Sequence, residues 1–138
     1  MTNDRCIFCQ IVEGQAPATR VYEDDTTLAL MDIFPVAKGH CLVIPKQHHS
    51  DLLSAPVSVV TAVITTAHHI APALVKTVEA DGLNLLQSNG RAAWQTVDHF
   101  HIHLIPRWHS DGLRPPGTPA PADRDELQTI AEQIAREL

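Results

Sequence analysis

An α+β fold with a largely antiparallel sheet is predicted by three features of the sequence. Strand-like segments stand on both sides of one long helical stretch, no strand–helix–strand alternation links them, and polar turns separate the strands. Asp4 to Val12 predicts a short helix ended by Gly14, with Ile7, Phe8, Ile11 and Val12 on its apolar side. Thr19 to Glu23 and Thr27 to Asp32 read as two strands around Asp24-Asp25, and His40 to Ile44 as a third, bounded by Gly39 and Pro45. From Ala55 to Ala80 apolar residues recur at helical spacing (Val57, Val60, Ile64, Ala67, Ala71, Leu74, Val78), interrupted by Pro72, which predicts a kink near His68 and His69. Those two histidines read as helix surface. Asp81-Gly82 turns into a fourth strand, Leu83 to Ser88, and a fifth runs from His99 to Pro106. Ser110 to Ala122, with four prolines, reads as extended and mobile, and Asp123 with Glu126 starts a last helix striped by Leu127, Ile130, Ile134 and Leu138.

The chain's 138 residues fit one domain, and 44% hydrophobic with 19% charged residues is a globular composition. A formal net charge of −6 argues against a nucleic-acid polymer as partner, because displacing counterions from phosphates needs a basic face. A small phosphate-bearing ligand stays open, since one local site can oppose the global sign. No unbroken apolar run suggests a membrane span, and Met1 to Gln10 lacks a signal-peptide pattern, so the cytoplasm is the expected location. Three cysteines speak against a secreted disulfide framework, and Cys41 in the run Cys41-Leu42-Val43-Ile44 reads as a small buried hydrophobe.

Nine histidines accompany only ten Lys and Arg, and three of them alternate in His99-Phe100-His101-Ile102-His103-Leu104-Ile105. Strand periodicity puts the three imidazoles on one face and Phe100, Ile102 and Leu104 on the other. The apolar face packs on a core. Three aligned titratable rings pack poorly and call for a chemical role. A surface strand that happens to carry histidines is the plain alternative, and three in register weigh against it.

Two chemistries suit this face: a metal held by His-x-His, or an imidazole nucleophile with its neighbours orienting substrate. Asp98, the nearest upstream carboxylate, falls on the Phe100 side of the pleat, which favours the nucleophile. Just upstream, Asn84 to Val97 is rich in amide and hydroxyl donors around Gly90, suited to phosphate oxygens.

These segments resemble the histidine triad (HIT) superfamily, closest to its bacterial Hint-like members, over most of the chain from Cys6 to Pro106. The similarity is carried by the triad, by Gln95-Thr96-Val97, by Ile7-Phe8-Cys9-Gln10-Ile11-Val12, by Tyr22-Glu23-Asp24-Asp25, by Asp32-Ile33, and by Gly39 to Lys46. Trp94 departs from it, standing where many relatives have glycine, which bears on substrate choice. The resemblance implies a HIT-like fold over residues 1–110: a five-stranded, largely antiparallel sheet, one long helix, short terminal helices, and sheets paired in a homodimer. Residues 111–138 then form a tail and helix packed on or near that domain.

The implied function is a nucleotidyl hydrolase or transferase acting at the α-phosphate of a nucleotide conjugate such as a nucleoside phosphoramidate or dinucleoside polyphosphate, purine by family tendency, through a covalent nucleotidyl-histidine, with an amine, a second nucleotide or a sulfate open as the leaving group. His101 is the implied nucleophile, and His103, Gln95 and Thr96 contact the phosphate and leaving group. Asp32 binds the ribose, Phe8, Ile11 and Ile33 form a slot for the base, and Asn89 reaches the ribose or phosphate side. Core packing is the plain reading of the three apolar residues. A non-catalytic nucleotide sensor and a metal-dependent hydrolase are the rival classes.

Cys6-Ile7-Phe8-Cys9 has the spacing of a zinc knuckle or a redox pair. Redox use would need a strand feeding the motif, which is not expected upstream of Cys6. Zinc-binding relatives pair such cysteines with a histidine after the third strand and with the first triad histidine. The resemblance therefore implies a structural zinc on Cys6, Cys9, His48 and His99, with His48 preferred over His49 for its place in Pro-Lys-x-His, and no catalytic metal. Two packed thiols without metal are the alternative.

Overall fold

A computed structural model of the chain describes residues 5–138; the expected start of the first helix at Asp4 lies outside them. The elements run α1 (Ile7–Val12), β1 (Arg20–Glu23), β2 (Thr27–Met31), β3 (Cys41–Pro45), α2 (Val57–Val78), β4 (Gly82–Leu86), β5 (Ile102–Arg107) and α3 (Arg124–Glu137), with a single 3-10 turn at Arg91–Ala93. The five strands form one sheet in the order β1-β2-β3-β5-β4, every neighbouring pair antiparallel. This is the predicted α+β class.

The pleat sorts the apolar residues onto two faces. Ala29, Cys41, Val43, Ile102 and Leu104 face α2, which presents Val63, Ala67 and Ile70 at helical spacing, with Phe100 in the same cluster. Thr66 bridges to Thr27 through their hydroxyls at 2.6 Å, so this buried polar pair is satisfied. By length and composition α2 could cross a membrane, with a mean hydropathy of 1.4 over 18 residues, and here its inner side is the sheet's cover. It continues through Pro72, and His68 and His69 lie on its exposed side, with His69 edge-on to Tyr22. On the opposite face Leu28, Leu30, Leu42 and Ile44 meet α1 through Cys6, Phe8, Cys9 and Ile11.

β5 is shorter than its sequence suggests. Ladder pairs with β3 run from Cys41↔Leu104 to Val43↔Ile102 and stop. The register would bring Ile44 opposite His101 and then Pro45 opposite Phe100, and proline has no N–H to give a ladder. Phe100 instead donates its N–H to the His49 carbonyl at 2.6 Å, and His99 to Val97 at 2.9 Å. His99, in a bend, and His101 thus sit ahead of the strand, yet the alternation persists: Phe100 is in the α2 core and these two imidazoles face α1.

The last helix is capped as expected, Glu126 N–H donating to Asp123 Oδ1 at 2.9 Å. Where the sequence suggested a tail packed on or near the domain, no residue of α3 is buried in the single chain.

Gly39 turns the chain into β3 with φ +84°, in the left-handed region, and a Cβ there would lie 2.9 Å from Val78 Cγ1 and 3.2 Å from Leu74 Cδ1. The side-chain tips of α2 can shift, but the backbone preference cannot. Gly39→Ala should therefore lower stability by about 2 kcal/mol, combining the left-handed penalty with tight packing. Chemical denaturation measures it, and an unchanged midpoint would show that the turn tolerates a side chain.

Candidate active site and metal centre

Each of the three aligned histidines has one ring nitrogen tied to a fixed partner, and that partner sets the role of the other nitrogen. His101 Nδ1 lies 2.6 Å from the carbonyl oxygen of His99. A carbonyl only accepts, so Nδ1 carries the proton and Nε2 keeps its lone pair. His99 is turned the other way: its Nε2 lies 2.8 Å from the carbonyl of Pro45, which puts the proton there and leaves the lone pair on Nδ1. His103 takes its tautomer from a residue the sequence reading gave no role, His40. The N–H of Val36 donates to His40 Nδ1 at 3.2 Å, so His40 carries its proton on Nε2, 2.9 Å from His103 Nδ1. His103 accepts there and presents Nε2–H.

Burial keeps these rings neutral. It pushes His99 and His103 down to about 4, the latter with help from His101 and His40. Burial also lowers His101 and His40, against the opposing pull of the Asp32 carboxylate. Asp32 Oδ2 stands 3.4 Å from His40 Nε2 and 4.0 Å from His103 Nδ1, while Oδ1 accepts the Phe34 N–H at 2.8 Å.

Beside this row lies an apolar cavity of about 360 Å³, where Phe8, Ile11 and Ile33 meet Ala16, Pro17, Leu30, Phe34 and Val97. All three apolar residues expected in a base slot are therefore brought together, and Asp32 joins their loop to the histidines. Phe8 also packs edge-on against His99 and His101, with ring centroids 5.7 and 5.2 Å away. Phe34, highly exposed at the rim, was not anticipated. Its signal was the apolar pair Ile33-Phe34 directly after the acid.

Two residues expected at the phosphate and ribose also hold the loop together. Gln95 is buried with its amide committed to backbone: Oε1 accepts the Gly90 N–H at 2.8 Å, and Nε2 donates to Ser50 and Val97 carbonyls at 2.7 and 3.0 Å. It fastens the loop. Asn89 accepts from the Leu52 N–H at 2.8 Å and pairs with Gln87, which uses one of its two amide N–H donors. Thr96 is exposed at the mouth of the loop. Trp94 is exposed with φ +70°, a left-handed backbone that costs a non-glycine residue about 1–2 kcal/mol.

Cys6, Cys9, His48 and His99 bring four ligand atoms within 4.8 Å of one another. His48 Nδ1 lies 3.2 Å from His99 Nδ1, Cys9 Sγ lies 3.3 and 3.6 Å from those two atoms, and Cys6 Sγ lies 3.4 Å from His99. A tetrahedral ion with zinc bond lengths would set N···N near ~3.4 Å and N···S near ~3.6 Å, so the donor set matches that geometry. The Pro45 carbonyl behind His99 is the outer hydrogen bond that metal-bound imidazoles use. His49 turns away to Gln47 at 3.2 Å, which resolves the competition in favour of His48. A second group, Asp32, His40 and His103, is also close enough for an ion, but the proton on His40 Nε2 points into it.

Comparison with known proteins decides the family. Residues 13–110 match the HIT domain. The chain belongs to the HIT family. Members similar to this HIT protein include the adenylylsulfatase HINT3 of Arabidopsis thaliana, 43% identical over 83% of this chain. The chain spans 60% of that protein's length. The adenosine 5′-monophosphoramidase HNT1 of Candida albicans is 37% identical over 96% of this chain and 91% of its own length. Among solved structures, SMU.412c of Streptococcus mutans superposes with a TM-score of 0.94 at 40% identity, covering 99% of this chain and 87% of that one. A Zn-bound histidine triad protein of Mycobacterium smegmatis gives 0.76 at 39% identity, covering 97% of this chain and 98% of its own.

Replacing Gln95 with leucine should leave the Gly90 N–H and the Ser50 carbonyl without their side-chain partner, the Val97 carbonyl still accepting from His99, and cost about 1–3 kcal/mol. Thermal unfolding measures this. An unchanged melting temperature, with activity lost, would return Gln95 to a substrate-contacting role.

Proposed function

We propose that this HIT protein is a nucleotide hydrolase that transfers an adenylyl-type group from an amine or sulfate leaving group to water by way of His101. The reading rests on one observation: the His99 carbonyl fixes the proton of His101 on Nδ1 and leaves Nε2 as the nucleophile. The two enzymatic relatives named above differ in their leaving groups and share the nucleotide half, which supports chemistry at the α-phosphate.

In the first step the Nε2 lone pair attacks the α-phosphorus, the P–N bond forms, and the bond to the leaving group breaks with its electron pair. An amine takes its proton from water, and a sulfate leaves as the anion. Positive charge develops on the His101 ring, and its Nδ1–H bond to the His99 carbonyl strengthens in response. His103 Nε2–H donates a hydrogen bond to the phosphoryl oxygens, a direction set by His40. Water then attacks phosphorus, the P–N pair returns to Nε2, and a proton passes to solvent. The base occupies the cavity of Phe8, Ile11 and Ile33, and the Asp32 carboxylate accepts from the ribose hydroxyls.

Cys6, Cys9, His48 and His99 would hold zinc. Four protein ligands leave no position for water or substrate, so the ion stabilises the fold and takes no part in the reaction. It would tie α1, with Phe8 and Ile11, to the segment that carries His101. The homodimer implied by the resemblance has a surface to use in β4, an edge strand whose Leu85 and Leu86 are exposed.

His101→Ala should lower turnover of adenosine 5′-phosphoramidate at least about a thousandfold while nucleotide affinity changes little. Mass spectrometry of acid-quenched protein should show a nucleotidyl adduct in the wild type and none in the variant. An adduct in His101→Ala would sink the assignment, and a wild type that binds nucleotide without turning it over would make the protein a sensor.

Elemental analysis of protein purified without chelator or metal-affinity column should find about one zinc per chain. Cys9→Ser should lose the metal and melt several degrees lower, whereas His103→Ala should keep both. Zinc near zero, with melting unchanged by chelation, would leave Cys6 and Cys9 as packed thiols.

A further inference from the structure

We propose that Cys6 and Cys9 are a site of reversible oxidation by peroxide, where disulfide formation empties the metal centre and loosens the base cavity. The proposal rests on the zinc reading above.

Access singles out Cys6. It lines an open cavity of about 430 Å³ with His48, Ser50 and Thr96, so a small solute reaches the cluster from that side. Cys9 lies behind it, 1% exposed and packed with Leu28 and Leu42. Cys6 is also the N-cap of α1, on extended backbone with φ −89° and ψ 122°, and its sulfur lies within 4.8 Å of that of Cys9. A side chain at the helix boundary can turn onto its neighbour and close that gap to the ~2 Å of an S–S bond. Cys41 has neither feature. It is 1% exposed in the α2 core, burial pushes its thiol up, and its S–H donates to the Gly39 carbonyl at 3.2 Å.

A zinc-bound cysteine is a thiolate, the form that attacks peroxide. Cys6 Sγ takes one oxygen from hydrogen peroxide as the O–O bond breaks, giving a sulfenic acid and hydroxide. Cys9 Sγ then attacks that sulfur: the S–S bond forms, the S–O bond breaks, and a second hydroxide leaves. Two protons from solvent turn both hydroxides into water, so two thiolates are oxidised and one peroxide is reduced.

The disulfide withdraws two of the four donors at once, and two imidazole nitrogens are too few to retain zinc. The effect reaches the substrate through α1. That helix has six residues, too short to hold its place unaided, and it carries Phe8 and Ile11 into the base cavity. Its ties to His48 and His99 run through the two sulfurs. Oxidation cuts those ties and leaves the bond between His101 Nδ1 and the His99 carbonyl untouched. The switch therefore acts on nucleotide affinity rather than on the nucleophile.

Treating the zinc-loaded full chain with excess hydrogen peroxide tests this. Zinc release is read with a chromogenic chelator, thiols are mapped by mass spectrometry, and AMP binding is measured by calorimetry. About one zinc per chain should be released in step with a Cys6–Cys9 disulfide, while Cys41 stays a thiol. The dissociation constant for AMP should rise at least about tenfold, and dithiothreitol with added zinc should restore it. Zinc held with both thiols reduced, a sulfinic acid in place of the disulfide, or an unchanged AMP affinity overturns the switch and leaves the metal site standing. A chain that carries no zinc before peroxide overturns both.

Discussion

The site depends on one constraint: side chains alternate from His99 to His103, so the imidazoles stand opposite Phe100 and Ile102, and each of the three rings has one nitrogen held by a partner within the protein. Carbonyl oxygens hold two of them, at Pro45 and at His99 itself. A third ring, His40, holds the last. Identical side chains thereby acquire three distinct capacities. His99 offers Nδ1 to the cysteines, His101 offers Nε2 to the pocket side, and His103 offers an N–H. A half-turn of any ring would exchange a lone pair for a proton and abolish its part.

The rest of the fold serves that constraint. Phe100, Ile102 and Leu104 bury the opposite face under α2, so the strand cannot roll to present its imidazoles elsewhere. Pro45 ends the ladder and simultaneously supplies the carbonyl that orients His99. α1 closes the imidazole face, with Phe8 edge-on to two rings and Cys6 and Cys9 against His99. Gln95 and Asn89 use their amides to fasten the loop over this assembly, and Gly39 turns His40 into place beside Asp32.

The sequence made the alternation legible because period-two patterning survives even where the ladder does not, so the split between His101 and Phe100 needed no coordinates. The cysteine pair and His48 were legible through spacing and resemblance. His40 was not, because a single histidine before a strand carries no pattern; its meaning comes from a ring 63 residues away. The loop-fastening bonds of Gln95 were not legible for a physical reason. An amide beside a row of histidines suits a phosphate or a backbone equally well, and burial, which the sequence does not display, decides between them. What the stripe of α3 meets was not legible, because amphipathicity predicts a partner without saying what provides it.

The tautomers are the central claim, and long-range proton–nitrogen correlation NMR of the imidazoles at neutral pH reads them directly. In the substrate-free protein His101 should carry its proton on Nδ1, with a bare, unprotonated Nε2, while His103 and His40 carry theirs on Nε2. A His101 found as the Nε2–H tautomer, or as an imidazolium, would contradict the account, because the nitrogen assigned to attack phosphorus would then have no lone pair to give.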